Sequence, residues 1–188
     1  MRHIYEKSNS KSGSKLTKNL VLTGMMGVGK STIGKSLADK LSYKFIDIDY
    51  IIEKKERNSI DKIFREKGEN YFRQIENKIS IEHLKKEKSV ISLGGGAFLN
   101  NSIRRAVKNS SISFWLDVSL ELLVKRLKKN KKRPLLLNKN LNEIVKKIYL
   151  ERKKTYSEAD FKVKCNFLKP DIIVKKILKL YESSTNKI

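Results

Sequence analysis

Eight consecutive residues, Gly24-Met25-Met26-Gly27-Val28-Gly29-Lys30-Ser31, fit the spacing G-x-x-x-x-G-K-[ST]. Glycines so spaced let the backbone curl until successive N–H groups converge on one point. A helix that starts at the lysine adds its positive dipole end, so the segment is suited to hold phosphate. In this motif the lysine reaches the β- and γ-phosphates of a nucleotide and the next hydroxyl holds Mg²⁺. Those tasks fall to Lys30 and Ser31, and Gly27, Val28, Gly29 and Thr32 complete the candidate cradle. The motif leaves the reaction open among GTPases, ATPases and small-molecule kinases.

Further along, Asp47 and Asp49 stand two apart at the end of an apolar run. If that run is extended, both carboxylates project to the same side, at the end of the sheet where ligands bind. One is then available to order the water shell of Mg²⁺, the other to accept a proton from an attacking hydroxyl. Capping the next helix is the competing use of either. Gly94-Gly95-Gly96 follows a later apolar run and permits close approach of backbone to a ligand. Arg73 and Glu76, three apart, share a helix face, where a solvated ion pair is the plain alternative to a functional one. Residues 125–133 carry seven cations and no anion and precede Pro134-Leu135-Leu136. Such a segment could close over polyphosphate as a lid, with Arg133 supplying charge to the transferring group, or it could form a nucleic-acid patch. Arg152 and Tyr156 lie in a third basic stretch.

These residues need a scaffold, and the hydrophobic pattern supplies one. Short apolar runs at 20–23, 44–48, 89–93, 112–116 and 161–164 read as five strands. Amphipathic stretches at 30–41, 70–86, 120–128, 141–154 and 170–181 read as intervening helices. The alternation predicts an α/β fold, a three-layer α/β/α arrangement around a five-stranded parallel sheet. Residues 1–18, rich in Lys and Ser, read as a flexible basic arm, 19–182 as one domain with a lid at about 125–138, and 183–188 as a tail.

The 188 residues carry 43 Lys and Arg against 20 Asp and Glu, a formal charge of +23, of which +14 lies from Lys125 onward. Such asymmetry fits a polyanionic partner, a site for a highly charged small ligand, or simply lysine-rich surface. A single cysteine, Cys165, excludes an internal disulfide and, with only two histidines, a zinc module. With neither a spanning apolar run nor a signal-peptide core, the expectation is a cytoplasmic protein. His3 falls in the arm and His83 on a Lys/Glu-rich stretch expected to be solvated; Phe114 and Trp115 are expected in the core, Cys165 in packing, and Met25 and Met26 take no role.

Taken together, the phosphate motif, Asp47/Asp49, Phe72-Arg73-x-x-Glu76, Gly94-Gly95-Gly96, Arg133-Pro134-Leu135-Leu136 and Glu151-Arg152 resemble the shikimate kinase family over about residues 20–181. The resemblance implies a P-loop kinase fold with a mobile lid and transfer of the γ-phosphoryl of ATP to the 3-hydroxyl of shikimate, on the way to the aromatic amino acids. It implies one Mg²⁺, with Ser31 and Asp47 on the metal side. It gives catalytic roles to Lys30, Asp49 and Arg133, and an adenine-side position to Arg126. It gives the substrate carboxylate to Arg73 and Arg152, with Gly95, Gly96 and Glu76 beside them and Asp49 on the hydroxyls. The chain departs from the family at Lys154, where many relatives carry proline, and in its arm.

ATP and shikimate are thus the expected partners of a monomer, without a specific nucleic acid or a membrane. A kinase of another hydroxylated acid such as gluconate would share the phosphate motif but need not combine Asp49 with Arg73 and Arg152. A nucleic-acid-binding P-loop protein would use the basic C-terminal third, yet aromatic residues are not interleaved with the basic run as a stacking platform requires. A nucleotide-binding fold without catalysis would not need the full set of charged groups.

Overall fold

The computed structural model describes residues 18–129 and 140–185; residues 1–17 of the expected arm, residues 130–138 of the expected lid with Arg133, and residues 186–188 of the expected tail lie outside them. In chain order the elements are β1 (Asn19–Thr23), α1 (Lys30–Leu41), β2 (Lys44–Asp47), α2 (Ile48–Glu56), α3 (Ile60–Leu84), β3 (Ser89–Ser92), a 3₁₀ turn (Ala97–Leu99), α4 (Asn101–Ser110), β4 (Ser111–Asp117), α5 (Leu120–Lys129), α6 (Leu141–Tyr156), β5 (Phe161–Lys164) and α7 (Pro170–Thr185). The five strands form one parallel sheet in the order β2-β3-β1-β4-β5.

Every residue of β1 and β3 is buried, as are six of the seven in β4. Strands apolar on both faces need helices on both faces, which is the α/β/α arrangement. α1 packs on α7, α3 on α4, and α5 on α6. The chain runs from β1 outward to β2 and β3, then crosses β1 to build β4 and β5. The direction of winding therefore reverses at β1, and the crevice beyond the carboxyl ends of β1, β3 and β4 is where ligands bind in such sheets.

Phe114 and Trp115 are buried in β4 as expected, Cys165 is buried, and Met25 joins the core. Other expectations change. The second strand stops at Asp47, and Ile48 and Asp49 open α2, because the Asp47 carboxylate caps that helix, accepting from the Tyr50 N–H at 3.4 Å. α3 begins at Ile60 rather than near residue 70: Ser59 caps it, and a kink at Gly68 (φ 79) divides it. His83 is 9 % exposed, with Nδ1 2.9 Å from the Ile79 carbonyl, so it belongs to the packed face of α3 and not to solvent. α7 runs on to Thr185, where the Ser183, Ser184 and Thr185 hydroxyls donate back to carbonyls of the preceding turn. Among the described residues no helix is long and apolar enough to cross a membrane.

Candidate active site

Beyond Thr23 the chain turns through Gly24 (φ 132), Gly27 (φ 78) and Gly29 (φ 99) into α1, conformations that side chains with a β-carbon rarely adopt. No side chain caps α1, whose first-turn N–H groups stay available to an anion. Lys30 is 9 % exposed and donates to the Gly24 carbonyl at 2.9 Å and the Met25 carbonyl at 3.0 Å, so its ammonium lies along the loop. From α5, Arg126 donates to the Val28 carbonyl at 3.1 Å.

Ser31 at the start of α1 donates to Asp47 Oδ2 at 2.5 Å. Hydroxyl and carboxylate thus meet at the phosphate loop, the predicted pair brought together by the parallel run of β1 and β2 on either side of β3. Two oxygen donors, with phosphates and water left to complete the shell, suit Mg²⁺. Among the described residues no group of three His, Cys, Asp or Glu gathers to hold a softer metal.

Next to the loop opens a cavity of about 300 Å³, and Asp49, Arg73, Glu76, Gly95, Gly96 and Arg152 all line it. Four separate elements deliver them: α2, α3, the loop after β3, and α6. Met26 lines the same cavity, so one wall belongs to the phosphate loop itself.

Arg73 is held on three sides. Its Nη1 donates to Glu76 Oε2 at 2.6 Å, and Nε and Nη2 donate to Glu69 Oε1 at 3.2 and 3.1 Å. The rings of Phe72 and Phe64 lie 5.1 and 5.9 Å from the guanidinium carbon. Burial opposes the charge, but the two carboxylates outweigh it and raise the Arg73 pKa. A β-carbon at Gly96 would stand 2.6 Å from Nη1, so only glycine lets the guanidinium lie against this backbone.

Glu76, 2 % exposed, is far from the solvated ion pair that its sequence context allowed. Burial pushes its carboxyl pKa up; Arg73 opposes the rise and the Asp49 charge adds to it. Its Oε2 holds Arg73, while Oε1 has no hydrogen-bond partner among the described residues. A β-carbon on Gly94 would fall 2.4 Å from that oxygen and 2.6 Å from Asp49 Oδ1. The two carboxylates therefore sit side by side over the first glycine of the triplet.

Arg152 Nη1 donates to the Gly95 carbonyl at 3.0 Å, and the buried Tyr156 hydroxyl, one turn on, donates to the same oxygen. Tyr156 also packs against Trp115, ring centroids 6.0 Å apart, and burial raises its pKa. Glu69, Phe64 and Asp61 also line the cavity and carried no assignment from sequence. The signal for Glu69 was present in its i,i+4 spacing to Arg73, but is legible only once α3 is known to start at Ile60.

A phosphate loop at the switch point of a parallel sheet, a hydroxyl–carboxylate pair at its lysine helix, and an adjoining cavity furnished with arginines and carboxylates define an ATP-dependent small-molecule kinase of the P-loop class. The shikimate kinase family model matches residues 26–182. The shikimate kinase of Persephonella marina is 44% identical over 161 residues, 86% of this chain and 97% of that protein. That of Sulfurihydrogenibium sp. is likewise 44% identical over 161 residues, 86% and 96% of the two chains. A solved shikimate kinase from Acinetobacter baumannii, in complex with shikimate, superposes with a TM-score of 0.86 at 32% identity, over 90% of this chain and 96% of that one. The chain belongs to the shikimate kinase family. A gluconokinase from Sinorhizobium meliloti reaches a TM-score of 0.58 at 16% identity over 92% and 95% of the two chains, a likeness of fold alone.

Proposed function

We propose that the chain transfers the γ-phosphoryl of ATP to the 3-hydroxyl of shikimate, giving shikimate 3-phosphate and ADP. One observation carries this reading: a single cavity, walled in part by the phosphate loop, collects Asp49, Arg73, Glu76, Gly95, Gly96 and Arg152. Its charge favours the same substrate. Asp49, Asp61, Glu69 and Glu76 outnumber Arg73 and Arg152 among its lining, and Arg73 is already shared between two carboxylates. Such a lining disfavours a multiply charged acceptor and suits one carboxylate attached to a ring of hydroxyls.

In this mechanism the guanidinium groups of Arg73 and Arg152 take the acceptor's carboxylate, and the backbone of Gly95 and Gly96 closes on its ring. Asp49 holds the hydroxyls and takes the proton of the 3-hydroxyl as that oxygen attacks the γ-phosphorus. The bond from the γ-phosphorus to the bridging oxygen breaks, and ADP leaves. Gly27, Val28, Gly29 and Thr32 cradle the phosphates, and Lys30 moves its ammonium from the loop carbonyls to the β- and γ-oxygens. Ser31 and Asp47 are the residues that would hold Mg²⁺, which when bound neutralises charge between the β- and γ-phosphates. Arg133 adds positive charge on the transferring group as the lid arginine, and Arg126, set against Val28, borders the adenine side. Catalysis here is positioning and charge, with no covalent intermediate. The same reading makes the protein a cytoplasmic monomer serving aromatic amino acid synthesis.

The test is a coupled assay of ADP release with a panel of hydroxylated acids. Shikimate alone is expected to stimulate release strongly; stimulation by gluconate with none by shikimate would transfer the reading to the rival kinase.

A further inference from the structure

Arg104 lies outside the cavity and has no part in the mechanism above, yet it holds together two elements that furnish it. From α4 its Nη1 donates to the Phe98 and Leu99 carbonyls, both at 2.8 Å, at the far end of the loop that begins with Gly94-Gly95-Gly96. Its Nη2 donates to Asn101 Oδ1, and its Nε stands 2.9 Å from Glu158 Oε2, just beyond the end of α6. The near end of the same loop is held from α6 as well, through Arg152 and Tyr156 on the Gly95 carbonyl.

The loop is therefore clamped from α6 at its near end and, at its far end, from α4 through Arg104, which also pairs with Glu158 just beyond α6. Between the clamps run three short-range bonds: the Ala97, Leu99 and Asn100 N–H groups donate to the Gly94, Gly96 and Ala97 carbonyls. A flat fork of donors can hold two adjacent carbonyls, an amide and a carboxylate at once, which no other side chain does. Loss of the far clamp would free the 3₁₀ turn. Gly96, whose backbone faces Arg73, and Gly95, whose carbonyl orients Arg152, would then drift relative to both arginines.

We propose that Arg104 is a positioning residue that, chiefly through the Phe98 and Leu99 carbonyls and secondarily through Glu158, fixes the far end of the glycine loop and so sets the spacing of Arg73 and Arg152 for the acceptor's carboxylate. The inference rests on the shikimate reading of the cavity. It concerns the acceptor side first, because the hydrogen bonds and ion pair of Arg104 go to Phe98, Leu99, Asn101 and Glu158 and none to the phosphate loop among the described residues.

The test compares wild type with R104M, R104K and E158Q in steady-state kinetics and in backbone hydrogen exchange. R104M is expected to raise the KM for shikimate about tenfold, with kcat and the KM for ATP within about twofold of wild type. Exchange at Ala97, Leu99 and Asn100 should quicken by a similar factor while amides of β1 and β4 keep their protection. R104K restores the pairing with Glu158 as a point charge but not the fork over two carbonyls, so its KM stays high. E158Q keeps the other three acceptors and is expected to change KM by about threefold or less. Uniform loss of protection across the sheet, or equal effects on both KM values, would reduce Arg104 to a general stabiliser and overturn the proposal. So would an R104M enzyme with wild-type KM for shikimate and unchanged exchange. A wild-type enzyme indifferent to shikimate would remove the reading of the cavity itself, and that is seen before any variant is compared.

Discussion

Asp49→Asn is expected to lower kcat by roughly 10²–10⁴-fold, the range lost with a general base, while the Kd for ATP stays within about twofold. The substitution keeps size and hydrogen-bonding reach but removes the carboxylate proposed to take the proton from the 3-hydroxyl. Nucleotide affinity is spared because the phosphate loop and Lys30 are held by their own contacts, Gly24, Met25 and Val28 among them. Asp47, whose carboxylate receives Ser31 and the start of α2, is a separate group, assigned in the proposal to the metal side. Asparagine also relieves the charge that Asp49 places beside Glu76, so the fold should not suffer. Turnover near wild type in a stopped assay of shikimate 3-phosphate would show that Asp49 neither positions nor deprotonates the nucleophile.

Gly94→Ala should separate catalysis from stability in the opposite way to a core mutation. The new methyl lands 2.4 Å from Glu76 Oε1 and 2.6 Å from Asp49 Oδ1. Both are side-chain ends that can turn aside, and Gly94, unlike Gly24 and Gly27, does not have a left-handed φ. The thermal midpoint should therefore change little. Turning aside, however, moves the proposed base, Asp49, at one end and the carboxylate that holds Arg73 at the other. Displacements near 1 Å at a reacting group cost about 10²-fold in rate, so kcat/KM for shikimate should fall by about that factor. The Kd for ATP should hold. A variant that melts far below wild type, or one that keeps full kcat/KM, would contradict the placement of the two carboxylates over this glycine.

Sequence made some of this legible and hid the rest for physical reasons. β1, β3 and β4 are readable because parallel strands buried on both faces are short, nearly continuous runs with few charges, whereas the edge strands β2 and β5 bury one residue each and show only a short mixture of apolar and charged residues. α2 is visible in the sequence only through the capping use of Asp47, which the structure bears out, and α4 is not among the helices read there, because each is short and buries only two residues, Ile48 and Ile52 in one and Ile103 and Val107 in the other. The Asp47–Asp49 pair was traced to the correct end of the sheet on mistaken geometry. Its members do not alternate along a strand: one ends β2 and caps α2, and the other lies in the first turn of that helix. The six residues assigned to the substrate line one cavity, but the burial of Glu76 and His83 could not be read from a helix so rich in Lys and Glu. A count of +14 from Lys125 onward is compatible with an anionic partner or with plain lysine-rich surface and says nothing of the cavity, which draws four carboxylates from α2 and α3 and only two arginines. Arg104 had no motif to mark it, since its partners come from the turn before α4 and from the far end of α6.

The most direct test of the account is the release of ADP from ATP and Mg²⁺ with and without shikimate, with the phosphorylated product identified by phosphorus NMR. The account predicts release that depends on shikimate, one ADP for each shikimate 3-phosphate formed. ADP release unchanged by shikimate, or phosphate appearing free or on another oxygen, would contradict it.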